Sequence, residues 1–399
     1  MRWLYFDSSD PDEVASRNAT IRKIDAWWQE FERNVVRIDQ LFRQKASWDL
    51  PSWMNEHLEA IADGLMWEFG PAVHEDGHRL VITPEGNHHL RPLAMDVVAR
   101  APRLPGWEFY AWRLPDSPEM VCELVNARVG CNFENVTVAL QAGDENRIDL
   151  LFRWPDRPQE EDTAMHAVIV AAETIFGEEY LDKWIGVIEP ISPDQADQSG
   201  LSFLSFDRGF ETFEALRTSI TEQLPEIPWA HDDENEKWSL MQREAVQADD
   251  YCGQDDVITC LTCNPNVISA AFSFRTFSSE RFGRNREIFA YVKIDGHDPG
   301  NMIYSDREEI EAAVRVALEK ERIGGLIGGS QGLRYVYVEF ATINMTRAIA
   351  SIRSVLQQGK VPKRSWILFH DSMMSAEWIG IYPDTPIPPQ PQMGNNDEN

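Results

Sequence analysis

The stretch Gly332-Leu333-Arg334-Tyr335-Val336-Tyr337-Val338-Glu339-Phe340 decides how the fold is read. Side chains alternate across a β-strand, so Val336, Val338 and Phe340 share one face and Leu333, Tyr335 and Tyr337 share the other. The aliphatic face belongs under helices, and its neighbours supply them. Glu287–Ile294 alternates as a strand, Ser305 or Asp306 caps a helix to Lys320, and Gly324–Gly329 pairs with Leu333–Phe340 across a glycine-bearing turn. Thr346–Gln358 then has helical spacing and Ser365–Phe369 is a strand. The order β-α-β-β-α-β predicts a ferredoxin-like sheet with two helices on one face.

Working outward, Val267–Phe277 alternates as if in a hairpin with Glu287–Ile294, and Phe210–Leu224 has helical spacing. Glu226–Glu236 is acidic with no Lys or Arg, which predicts a solvated loop. The first half reads as helices over Ile24–Phe42 and Leu50–Ala62, then a hairpin of Leu65–Pro71 and Arg79–Thr83 turning at Asp76-Gly77. A helix over Leu90–Ala101, a strand over Trp107–Leu114 and a hairpin of Val136–Gln141 with Ile148–Trp154 follow. Thr163–Phe176 is a helix closed at Gly177, and Lys183–Ile191 is extended.

The expected fold class is therefore α+β, with two domains of antiparallel or mixed sheets and packed helices. The N-terminal domain spans 1–192, helical over 20–63 and then sheet plus helices. The polar stretch 193–200, opened by Ser192-Pro193-Asp194-Gln195, is the expected linker. The ferredoxin-like domain spans 201–385, and the proline-rich stretch 386–399 is the expected flexible tail.

Composition bounds the function. Apolar residues at 43% and charged residues at 26% are globular proportions over 399 residues, enough for two cores. With 37 basic and 66 acidic residues the net charge is −29, which repels phosphate backbones and anionic lipid; nucleic acid is a disfavoured partner and no membrane partner is expected. No apolar run reaches the ~18–20 residues that span a bilayer. Met1–Phe6 runs directly into acidic residues without a signal-peptide core, and five irregularly spaced cysteines do not form a disulfide framework. Cytoplasmic location is the expectation.

The block from Gly86 to Ile191, through Leu90-Arg91-Pro92-Leu93, Ala101-Pro102, Pro105-Gly106-Trp107-Glu108-Phe109-Tyr110 and Gly177-Glu178, resembles a domain of uncharacterised bacterial proteins. That resemblance implies a fold and no chemistry. The C-terminal block, with Gly328, Gly332, Tyr335, Tyr337 and Trp366, is similar to the bacterial regulator that binds and inhibits ribonuclease E. What that likeness implies is a protein-binding regulator.

Four clusters of residues could carry chemistry. Cys260-Leu261-Thr262-Cys263 has the two-residue spacing of a shared metal or a redox pair, with Cys252 and His231 as further donors; in an extended segment the two thiols point to opposite faces. His74 and His78 flank a tight turn and could together hold a divalent ion. His370-Asp371-Ser372 ends the last strand, where His370 and Asp371 are the candidate base and acid, although neighbours in sequence rarely converge into a relay. The run Gly324–Gly332 lacks the lysine and hydroxyl of a phosphate loop and indicates close backbone approach.

Tyr335 and Tyr337 are the candidate binding residues. Their face is covered by the other domain, docks a protein, or stacks RNA bases, in that order, because the acidic balance opposes RNA. The functional expectation is a non-enzymatic protein-binding or regulatory module without a cofactor, its protein partner basic by charge complementarity. The alternatives are a hydrolase-like enzyme with a site between domains and a metal-binding structural or sensing protein.

Overall fold

In the computed structural model, which describes residues 2–45, 47–230, 237–245, 247–297 and 300–390, the first element is a 32-residue helix, α1 (Pro11–Phe42). It starts earlier than its apolar spacing announces. Asp10 accepts from the amides of Asp12 and Glu13, and Pro11 opens the helix with a residue that needs no amide partner, so capping starts it before any core-facing residue. Ile24, Trp27, Trp28, Phe31 and Ile38 are buried along one face and pack with α2 (Leu50–Ile61).

Two short sheets follow in the same unit, and they repeat one pattern. Strands β1 (Met66–Pro71) and β2 (His78–Thr83) form an antiparallel hairpin; after α3 (Arg91–Ala99), β3 (Trp107–Tyr110) returns parallel to β2. Beyond α4 (Pro118–Val129), β4 (Thr137–Ala142) and β5 (Ile148–Arg153) are again an antiparallel hairpin. The crossover is α5 (Glu161–Lys183), and β6 (Ile185–Ile191) lies parallel to β5. Each half is a helix, a hairpin, a crossover helix and a parallel third strand.

Helix α5 does not stop at Gly177; it breaks there and continues to Lys183. Gly177 has φ 77° and ψ 162°, and the segment 113–116 lies against the break. Glu178 N donates to Arg113 O at 3.0 Å, and Asp116 N donates to Thr174 O at 2.8 Å, which pairs the groups freed by the kink. The Glu178 carboxylate accepts from Thr83 Oγ1 at 2.5 Å, Arg91 Nη2 at 2.6 Å and Arg113 N at 2.9 Å. Arg91 also lies over the Trp112 ring at 3.3 Å. One buried carboxylate thereby ties the end of β2, helix α3 and the chain after β3 to α5.

The stretch 193–200 is a capped helix, α6 (Pro193–Ser199), where a linker was expected. Ser192 Oγ accepts from Gln195 N at 3.3 Å while Ser192 N donates to Gln195 Oε1 at 2.8 Å, so its polar and proline residues start a helix. Helix α7 (Phe206–Gln223) buries Phe213 in the core around β4, β5 and α5.

The described residues divide into two compact units, from Trp3 to Ile220 and from Thr221 onward. The second is built on one sheet in the order β13-β12-β9-β11-β10-β8-β7, with every pairing antiparallel. In chain order its strands are β7 (Ser239–Gln242), β8 (Val257–Thr262), β9 (Ile288–Asp295), β10 (Gly324–Gly332), β11 (Tyr335–Thr342), β12 (Ser365–Phe369) and β13 (Ile379–Gly380). Its helices are α8 (Pro265–Ala271), α9 (Arg307–Glu321) and α10 (Met345–Gln358).

The expected hairpin of Val267–Phe277 with β9 does not form. Asn264 caps Val267 N at 3.4 Å and Pro265 sits in the first turn, so this apolar segment starts as α8, and β9 lies between β11 and β12. Residues 231–236 of the acidic stretch, with His231, and residues 391–399 of the tail lie outside the described residues. Pro386 is fastened, its carbonyl accepting from Trp366 Nε1 at 2.6 Å. Among the described residues no helix is long and apolar enough to cross a membrane.

The break in α5 generates a prediction. A Cβ at position 177 would lie 2.8 Å from Pro115 Cδ and 3.0 Å from Arg113 O, in a backbone conformation that L side chains rarely adopt. Gly177→Ala is expected to lower unfolding stability by about 3 kcal/mol, read from the midpoint of chemical denaturation.

Candidate functional site

Strand alternation places one residue per strand in a row across the sheet: Trp366, Lys293, Tyr337, Ser330, Cys260 and Met241 are successive cross-strand partners. The next row runs through Leu368, Tyr291 and Glu339, and Tyr335 pairs with Asp295 beside the first. The opposite face is the aliphatic one, with α9 crossing it: a Cβ at Gly329, the partner of Val338, would meet Glu311 of that helix.

The tyrosine face is covered, but by its own unit. Residues 248–256 lie over it as a strap, and Tyr335 and Tyr337 are both 0% exposed. Neither is an outward docking platform or a base-stacking surface. Tyr335 Oη donates to Asp250 Oδ1 at 2.6 Å, and Tyr337 Oη bonds Asp256 and reaches Gly253 O at 3.3 Å. Asp256 Oδ2 also accepts from the amides of Arg334 at 2.8 Å and Tyr335 at 2.9 Å, fixing the strap to the turn between β10 and β11. Gly332 permits this approach, since a Cβ there would lie 2.3 Å from that oxygen.

Lys293, also 0% exposed, lies at the centre. Its ammonium donates to Tyr251 O at 2.5 Å and Gly253 O at 2.8 Å and sits 4.1 Å from the centre of the Tyr335 ring. Burial pulls its pKa down to about 8, against the opposing pull of Asp256, Cys252, Asp250 and Asp255. Burial also raises the phenols of Tyr291, Tyr335 and Tyr337. At the rim, Arg364 Nη2 bonds Asp250 Oδ2 at 2.5 Å and Tyr335 Oη at 2.8 Å, while Arg334 Nη2 bonds Asp295 Oδ2 at 2.8 Å.

His370 and Asp371 diverge. His370 Nε2 lies 3.0 Å from Glu339 Oε2, both side chains sealed at 2% and 0% exposure, and Glu339 also accepts from Ser330 Oγ and Gln254 Nε2. Asp371 instead accepts from Ser279 N at 2.8 Å and from its hydroxyl, and burial raises its pKa. They form no acid–base pair, because side chains adjacent at a strand end leave in different directions.

No family model, curated protein or solved structure matches this chain.

The metal candidates separate in the same way. Cys260 is buried in the sheet row, its thiol pushed up to about 12 mainly by burial, whereas Cys263 follows the strand end. His74 is at an exposed hairpin tip whose amides at Val73, His74 and Glu75 donate to the Glu108 carboxylate. His78 turns inward to Asp39 Oδ1 at 3.3 Å and packs against Phe42 and Trp107. Among the described residues no group of three or more His, Cys, Asp or Glu side chains is placed to hold a metal ion.

The free end of the sheet has a different character. Among the described residues strand β7 pairs only with β8, and Arg243 N donates to Ile258 O at 3.0 Å. Antiparallel alternation then turns the backbone groups of Leu240 and Gln242 away from β8. Leu240 is 64% exposed and lies opposite Leu261, with Trp238 exposed beside them.

Sequence reading missed Lys293, Glu339 and Asp256. The signal was present in part: in β9, alternation sends Tyr291, Lys293 and Asp295 to the side of Tyr335 and Tyr337.

The lysine's titration gives a testable sign. Its folded pKa lies below the ordinary 10.5, so the cost of burying the cation is fully present below about 8 and is relieved as pH rises toward 10.5. Against Lys293→Met, wild-type unfolding stability is expected to gain about 2 kcal/mol between about pH 7.5 and 9.5, measured by denaturant titration at each pH.

Proposed function

We propose that this chain is a non-enzymatic, cytoplasmic protein-binding module of regulatory character, and that its partner adds an extended segment to the free edge of β7. The observation that carries this reading is Leu240, 64% exposed on an edge strand whose outward backbone groups have no neighbouring strand among the described residues. An apolar side chain at an open edge is a liability for a monomer and an anchor for a partner strand. The net charge of −29 favours a segment bearing Lys or Arg between its apolar residues. The inward ties of His370 and Asp371 favour a partner surface elsewhere than those two residues.

In this reading the two units act as two domains, the second ferredoxin-like at its centre. The order β12-β9-β11-β10, antiparallel throughout, with α9 across β10 and β11 and α10 packed beside α9, supports that part. The free thiols of Cys122, Cys131, Cys252 and Cys260 support a reducing compartment.

The test uses fluorescence-labelled peptides that alternate apolar residues with lysine or arginine, titrated into the full chain. Saturable binding is expected, weakened at least tenfold by Leu240→Lys and lost in Gln242→Pro. The proline removes only an outward N–H, so the circular dichroism of that variant should match wild type. Absence of binding, or equal binding by both variants, would overturn the proposal.

A further inference from the structure

The strap over the tyrosine face differs in charge from what it covers. Ala248-Asp249-Asp250-Tyr251-Cys252-Gly253-Gln254-Asp255-Asp256 carries four aspartates and no lysine or arginine. Beneath it the sheet offers Lys293, Arg334 and Arg364 together with the hydroxyls of Tyr335 and Tyr337. Asp295 lies between Arg334 and Arg364, bonding Nη2 of the first at 2.8 Å and Nε of the second at 3.2 Å, and so orients both guanidiniums. Their remaining donors reach the strap: Arg334 Nη1 lies 3.3 Å from Asp249 O and 3.7 Å from Asp250 Oδ1, and Arg364 Nη2 bonds Asp250 Oδ2 at 2.5 Å.

A sheet face needed only as core would be closed at less cost by apolar residues, since a buried ammonium must recover its hydration from groups placed around it. Here the groups that recover it are backbone carbonyls of the strap, so the face is complementary to a chain carrying carbonyls and carboxylates. Asp256 belongs to the permanent frame, because it holds the amides of Arg334 and Tyr335. Apart from Gln254, whose amide donates to Glu339, residues 248–255 are joined to the face by contacts that another acidic chain could make.

We propose that the Tyr335, Lys293 and Arg364 face is a binding site for an acidic peptide segment, and that residues 248–255 occupy it as the chain's own competitor. Displacement of the strap would expose donors that the folded chain otherwise keeps filled. This site is separate from the edge of β7 and stands or falls independently of it. A tethered competitor works at an effective concentration in the ~mM range, so wild-type protein is expected to bind a free acidic peptide weakly.

The probe is a labelled synthetic peptide of residues 248–255 with serine in place of cysteine at position 252, titrated into the full chain by fluorescence anisotropy. Asp250→Ala removes the strap's bonds to Tyr335 and Arg364 while leaving the face intact, and is expected to bind the peptide at least tenfold more tightly than wild type. A peptide with asparagine at every aspartate should lose that gain. Equal affinity in wild type and variant, or equal binding of the asparagine peptide, overturns the proposal.

Should Asp250→Ala fail to fold, wild-type Cys252 decides the matter. It lies within the strap, and its rate of modification by a thiol reagent, mapped by peptide mass spectrometry, should rise severalfold at saturating peptide while that of Cys260 stays constant. An unchanged Cys252 rate overturns the proposal.

Discussion

A fully buried ammonium sets the terms for the second unit. Lys293 leaves water for the middle of a seven-stranded sheet, a transfer that costs several kcal/mol unless its donors are matched. Tyr251 and Gly253 carbonyls and the Tyr335 ring supply the match, and the two carbonyls can do so only while residues 248–256 lie flat against the face. The strap in turn is held by Asp256, whose carboxylate serves two amides and a phenol at once. The lysine, strap and β10–β11 turn are therefore one cooperative arrangement, and removing one member leaves a buried polar group without its partner.

The first unit follows the same rule with the opposite charge. Glu178 is buried where α5 breaks, and it is tolerated because Arg91, Thr83 and the Arg113 amide converge on it. Gly177 makes the convergence possible by turning the helix into a conformation other residues resist. In both units a buried charge joins segments far apart in sequence, which favours one arrangement of the elements over its alternatives.

Much of the architecture is legible in the sequence. The spacing of Trp27, Trp28 and Phe31 identified the core face of α1, the Asp76-Gly77 turn joined β1 to β2, and the alternation from Tyr335 to Phe340 separated two faces of the sheet. The failures were local contests between signals. Val267–Phe277 carries strand-like alternation, yet Asn264 and Pro265 start a helix there; Ser192–Gln195 has linker composition and forms a capping box. Capping residues act through a few specific hydrogen bonds, which a periodicity count does not register.

By itself the sequence determined the α+β class, the acidic surface charge and which side chains of each strand share a face, because these follow from composition and from the two-residue period of a strand. Tertiary structure alone decided what covers each face. Asp250 and Tyr335 are 85 positions apart, and Arg91 and Glu178 are 87 apart. No local periodicity encodes such pairings. They arise when burial removes water from polar groups and each must find its partner across the fold. That is why His370 met Glu339 rather than Asp371, and why the tyrosine face closed on a strap from its own unit.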